Sequence, residues 1–101
     1  VKITTLMEIK EIQQDDLFKL ISIYKRMSDQ ELTEYVCLHN LETELYAVLC
    51  ANFFNPSSSN EDHTYFKKLT IELLLEESPL TRCEWFSSIK QAIDQHDLEF
   101  S

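Results

Sequence analysis

Glycine is absent from all 101 residues, and proline occurs only twice. Average glycine usage is about 7%, so the zero carries weight. Without glycine there is no loop to cradle a phosphate, no dinucleotide-binding turn, and no Asn-Gly or Gly-x hairpin. Helices joined by polar loops are the architecture that remains. Long apolar runs are missing too. The run "YAVLCANFF", residues 46–54, is interrupted by Asn52 and is far shorter than the roughly 18–20 residues that span a bilayer. The opening "VKITTLMEIK" has neither a signal-like apolar block nor a cleavage site, and it starts at Val1 without an initiator Met, consistent with removal of an N-terminal segment.

Cysteine is scarce and odd in number: three, with no C-x-x-C. A small secreted scaffold carries more, evenly paired. None of Asn40, Asn52, Asn55 and Asn60 sits in a glycosylation sequon. These features indicate free thiols in a reducing, cytoplasmic setting. Lys and Arg number nine against eighteen acids, a net charge of −9. That balance disfavours direct nucleic-acid binding, which needs a positive footprint, and an anionic membrane surface. It leaves a basic protein as the partner that charge complementarity favours. From Met27 through Phe66 there is no Lys or Arg at all, while Asp29, Glu31, Glu34, Glu42, Glu44, Glu61 and Asp62 all fall there. Like charges on adjoining helices are ordinarily relieved by scattered bases. These seven acids are therefore the candidate partner-binding residues, against the plainer alternative that they form a solvated face serving solubility.

What is present reads as helical. Hydrophobic residues make up 44% of the chain, a globular composition. Thr5-x-x-Glu8 has the form of a capping box, and Asp15-Asp16 suit a helix N-terminus. Leu17, Leu20, Ile21, Tyr24 and Met27 recur at i, i+3, i+4, i+7 and i+10. Ser28-x-x-Glu31 is the clearest cap. Beyond it, Leu32, Tyr35 and Val36 share one helical azimuth, and Leu41, Leu45, Val48, Leu49 and Asn52 another. A break at His39-Asn40 divides them into helices over roughly 29–38 and 41–54, the alternative being a single kinked helix in contact with partners on two sides. "NPSSSNED", residues 55–62, is a loop. A helix from near Asp62 carries Tyr65, Phe66, Leu69, Leu73 and Leu74. Ser78-Pro79 starts another, and Thr81-x-x-Glu84 caps a last one bearing Trp85, Phe86, Ile89, Ala92, Ile93 and His96.

No constellation names a reaction. On a helix Cys37 and His39 would point about 160° apart, wrong for a chelating pair, and Cys50, Cys83, His63 and His96 have no ligand-spaced partner, so no metal is expected. Cys83, in a first helical turn, is the best thiol candidate, but Glu84 opposes its ionisation. The pairs Asp15-Asp16, Glu61-Asp62 and Glu76-Glu77 sit at helix ends and do not face each other. Ser57, Ser58, Ser59 and His63 only superficially suggest a triad; a linker explains them. Aromatics, six Phe, four Tyr and one Trp, exceed the needs of a small core; core packing accounts for most of them, and the remainder suit a dimer seam or partner groove. The tail "DLEFS" alternates Leu98 and Phe100 with acids.

"LMEIKEIQQDDLFKLISIYKRMSDQEL" resembles the front of the Hha–YmoA family of gene-expression modulators in its Leu/Ile spacing and SD-x-EL start. That family is basic and shorter, so this acidic chain departs where function would be read. The apolar spacing from Glu42 to Ile93 is similar to that of the YmgB–AriR biofilm regulators. Neither resemblance transfers a site residue.

The expectation is a single all-α domain over residues 1–101, a small bundle of four or five short helices in orthogonal or irregular packing, with frayed ends at 1–4 and 97–101. Leu17, Leu20, Ile21, Tyr24, Leu32, Val36, Leu45, Leu49, Leu69, Leu73, Trp85, Ile89 and Ile93 should form its centre. The expected function is non-enzymatic, without cofactor: an acidic helical face that engages and neutralises a basic macromolecule, as immunity proteins and inhibitors do. The alternative is a self-associating adaptor or regulator of gene expression, compatible with a homodimer.

Overall fold

A computed structural model of the chain describes residues 17–100. The readings made above for Thr5, Glu8, Asp15 and Asp16 lie outside the described residues. The all-α expectation is overturned. The described chain runs β1 (Phe18–Arg26), β2 (Leu32–Asn40), β3 (Tyr46–Phe54), then α1 (Asn60–Glu76), α2 (Pro79–Arg82) and α3 (Ile89–Phe100). The strands form an antiparallel meander in the order β1-β2-β3. Both segments expected to be helical over 29–38 and 41–54 are strands with their hairpin loops.

The hairpins form without glycine because their loops do not need the two-residue turns that demand it. In the first, Met27 and Ser28 donate their backbone N–H groups to the Glu31 carbonyl at 2.9 and 3.3 Å. The Ser28 hydroxyl accepts from the Gln30 N–H at 3.1 Å. Ser28-x-x-Glu31, which reads as a helix cap, thus closes a hairpin. The same short polar side chains serve both purposes by bonding nearby backbone. In the second loop, the buried Asn40 accepts from the N–H groups of Glu42 and Thr43 at 2.8 and 3.2 Å. Glu44 adopts the left-handed conformation at φ 63°, and its N–H returns to the Asn40 carbonyl at 2.8 Å.

The register places Ser22 opposite Val36 and Val36 opposite Cys50. It slips between Val36 and Cys37, where Cys37 faces Val48 and leaves Leu49 as the extra residue of a bulge. One sheet face, carrying Phe54, receives α1: Phe54 stacks on His63 at 4.7 Å and meets Phe66 edge-on at 5.4 Å. The opposite face, carrying Tyr35, receives α3 through the T-shaped contact of Tyr35 with His96 at 5.8 Å. Between the two, the segment after α2 wraps the sheet end that holds the 41–45 loop. Trp85 stacks on Phe18 at 5.8 Å, and Phe86 exchanges backbone bonds with Tyr46 at 2.7 Å.

Covering both faces explains the misread pattern. A strand buried on one side alternates with period two, whereas a strand buried on both reads as a continuous apolar run. In β2, Tyr35, Val36, Cys37 and Leu38 are consecutive and all buried. These, with Ala47 and Ala92, are the buried apolar core. Of the expected centre only Val36 belongs to it; Leu17, Leu20 and Tyr24 are exposed. Burying a side chain such as Leu38 contributes about 1.5–3 kcal/mol.

The helix expected from near Asp62 is present as α1, capped by Ser59. The Ser59 hydroxyl accepts from the Asp62 N–H at 3.2 Å, and the Asp62 carboxylate accepts from the Ser59 N–H at 2.8 Å. Ser78-Pro79 begins α2, but Cys83 ends it, so the final helix starts at Ile89 rather than after Thr81. Among the described residues no helix is long and apolar enough to cross a membrane.

Candidate functional site

The antiparallel topology sorts the seven candidate acids. β1 and β2 are joined by residues 27–31, and β3 leads into residues 55–59, so both connections lie at one end of the sheet. Asp29 and Glu31 stand in the first connection, and Glu61 and Asp62 follow the second in the opening turn of α1. All four are exposed. Glu42 and Glu44 occupy the 41–45 loop at the other end, on the order of 25–30 Å away across strands of nine residues. Glu34 lies mid-strand on the α1 face, half-buried. It accepts from Ser22 Oγ at 2.8 Å, Tyr24 Oη at 3.4 Å and Asn52 Nδ2 at 3.2 Å.

The helical acidic face of the sequence reading therefore does not exist as such. Only Glu61 and Asp62 are helical, and the seven divide into an end of four, an opposite pair and one inward group. None of the seven forms an ion pair with Lys or Arg among the described residues; Glu44 meets His39 at 3.0 Å. One base, Arg26, lines the shallow depression shared by Asp29, Glu31 and Pro56. The α1 N-terminus adds its positive dipole end there, which Glu61 and Asp62 offset.

A second feature lies on the α3 side of this same sheet end. Met27, Phe53 and Phe100 are 55%, 72% and 74% exposed, yet they line one cavity of about 240 Å³ with Tyr35, His96 and Asp97. Its floor is tied down: Tyr35 Oη donates to Asp97 Oδ1 at 2.7 Å, and Lys25 Nζ donates to Asp97 Oδ2 at 3.2 Å. Burial and the bond to Asp97 push the Tyr35 hydroxyl up to about 12. That bond, joined by Lys25, holds the Asp97 carboxyl below the ordinary carboxylate value, against the opposing effect of burial. His96 Nδ1 is buried without a hydrogen-bond partner among the described residues, 4.0 Å from Asp97 Oδ1.

The thiols gather elsewhere. Cys50 and Cys83 line a cleft of about 520 Å³ beside the β3 bulge, with Arg82, Glu84 and His96. Burial raises both thiols; Thr70 and Arg82 pull Cys50 down, and Arg82 pulls Cys83 down, without reversing it. Cys37, fully buried, is pushed up to about 11 by burial. Nucleophilic and metal-binding cysteines react as thiolates, which this setting disfavours. No group of three or more His, Cys, Asp or Glu among the described residues could hold a metal ion.

Sequence reading missed the apolar cavity because its walls come from Met27, Phe53 and Phe100, which only the fold brings together. Its available signals were the surplus of aromatics and the apolar residues of the tail. No family model matches the chain, and neither a curated protein nor a solved structure matches it.

Proposed function

We propose that this chain is a non-enzymatic binding protein that engages a basic protein through the acidic end of its sheet and masks the cationic surface it covers. The observation that supports this reading is the convergence of Asp29, Glu31, Glu61 and Asp62 at one end, with no ion pair to Lys or Arg among the described residues. Such a surface favours encounter with cations and penalises acidic competitors. Glu42 and Glu44 face the other way and serve as the internal control. The free thiols support a cytoplasmic setting for this activity.

Salt-dependent binding of a polyarginine probe tests the proposal. Affinity should fall steeply from low to high salt. Lys at positions 29 and 31 should weaken it about tenfold, and Gln at positions 42 and 44 should leave it nearly unchanged. Affinity level across salt would defeat the reading.

Self-association, as an adaptor or regulator, is the second reading. The outer edge of β1 supports it: this edge has no strand partner among the described residues, and open edges invite pairing. Two copies paired antiparallel about Ser22 would, however, set Lys19 opposite Lys25, and like charges directly opposed are unfavourable. A light-scattering mass independent of concentration would remove this alternative.

A further inference from the structure

We infer that the basic partner carries an apolar anchor, and that the cavity lined by Met27, Tyr35, Phe53, His96, Asp97 and Phe100 receives it. This inference rests on the acidic-end reading and narrows it from any cation to a basic segment bearing one aliphatic or aromatic side chain. Three observations carry it.

The first is exposure. Met27, Phe53 and Phe100 lie open on a single concavity, although the protein buries smaller residues such as Ala47 and Ala92 completely or nearly so. Contiguous apolar surface on a concave site marks an interaction surface. The second is size. At about 240 Å³, the cavity falls below the range of about 300–1,000 Å³ of sites for whole small ligands. It suits one inserted side chain.

The third is charge. Met27 belongs to the same loop as Asp29 and Glu31, and its N–H bonds the Glu31 carbonyl at 2.9 Å. The loop that supplies Met27 to the cavity thus also carries Asp29 and Glu31, which line the neighbouring depression with Arg26, Leu32 and Phe54, and Asp97 forms part of the cavity wall. Lys25, the base on that wall, is occupied by Asp97. An anchor flanked by Lys or Arg would meet apolar surface in the cavity while its flanking bases reach the carboxylates of Asp29 and Glu31 on the adjoining loop. Interfaces are commonly built this way, with a desolvated anchor inside a polar ring. The floor is suited to receive it without rearrangement, since Tyr35 is 4% exposed and held by Asp97.

Fluorescence anisotropy with two labelled peptides decides the matter. One alternates Arg and Gly around a central Trp; the other has Ser in place of the Trp. The anchored peptide should bind at least about tenfold tighter. Phe53→Ser, at a site exposed enough to spare the fold, should erase that advantage and leave the Ser peptide's affinity unchanged. Leu98→Ser, equally exposed but outside the cavity, should preserve it. Equal affinity of the two peptides, or an advantage that survives Phe53→Ser, overturns the inference while leaving the acidic-end reading intact. Failure of both peptides to bind overturns both. A concentration-dependent dimer abolished by Phe53→Ser would assign the cavity to a second copy of the chain and overturn the basic occupant.

Discussion

Tyr35 and Asp97 meet across 62 positions of sequence, with the hydroxyl of β2 donating to the carboxylate of α3 at 2.7 Å. Tyr35 is buried and Asp97 sits at the margin, its second oxygen turned to Lys25 of β1. One carboxylate therefore pins the last helix to two strands. Truncating it strands a buried hydroxyl, which costs more than removing both partners would.

Asp97→Ala should lower stability to urea by about 1–3 kcal/mol, and Tyr35→Phe by about 1 kcal/mol, because Asp97 retains Lys25 and solvent. Combining the two should cost less than their sum. Strict additivity would show that the pair is not coupled.

The same pair sets an acid limit. The folded Asp97 carboxyl lies below its ordinary value of 3.8. A depressed carboxylate contributes stability that is fully present above the ordinary value and lost as pH falls through the folded one. The stability difference between the native chain and Asp97→Asn should be constant above about pH 5 and shrink below about pH 4. A difference that grows on acidification would contradict this sign. Urea midpoints across that range supply the measurement.

The second hairpin depends on two residues that stand in for glycine. Asn40→Ala removes the acceptor for the Glu42 and Thr43 N–H groups and should cost about 1–3 kcal/mol. Glu44 holds φ 63°, where a β-branched side chain is strongly disfavoured. Glu44→Val should be less stable than Glu44→Gly by about 1–2 kcal/mol. Equal stability of the two would place the loop outside the left-handed region.

The cysteines should resist alkylation. With its thiol pushed up to about 11 and no exposed surface, Cys37 should react with iodoacetamide at neutral pH over a hundredfold more slowly than an ordinary thiol near 8.5, by about two orders of thiolate population. Cys50 and Cys83 should also lag, and urea should restore all three. Rapid labelling of Cys83 in the folded protein would reopen thiol chemistry at the β3 cleft.

Two helix starts in the C-terminal half were legible in the residues, whereas Thr81-x-x-Glu84 misplaced the start of the last helix, which begins at Ile89. Ser59 with Asp62 and Ser78 with Pro79 are local signals, because a cap bonds backbone only two or three positions away. They mark the starts of α1 and α2 wherever the helices later pack. The concentration of acids between Met27 and Phe66 was legible too, since counting charges requires no geometry.

Strand identity was not legible from local pattern. Ser28-x-x-Glu31 can cap a helix or close a hairpin, and Leu17, Leu20, Ile21 and Tyr24 satisfy helical spacing while β1 is extended. The missing glycine excludes only the tightest hairpins, and Asn40 with Glu44 closes a longer one. What decided between the two states was pairing: β2 lies between two strands and beneath helices on both faces, so Tyr35 through Leu38 are buried together with no alternation to read. Composition and caps were settled within a few bonds of each residue. The sheet, the division of the acids between its ends, and the cavity joining Met27 to Phe53 and Phe100 arise from contacts between residues far apart in sequence, which no local window contains.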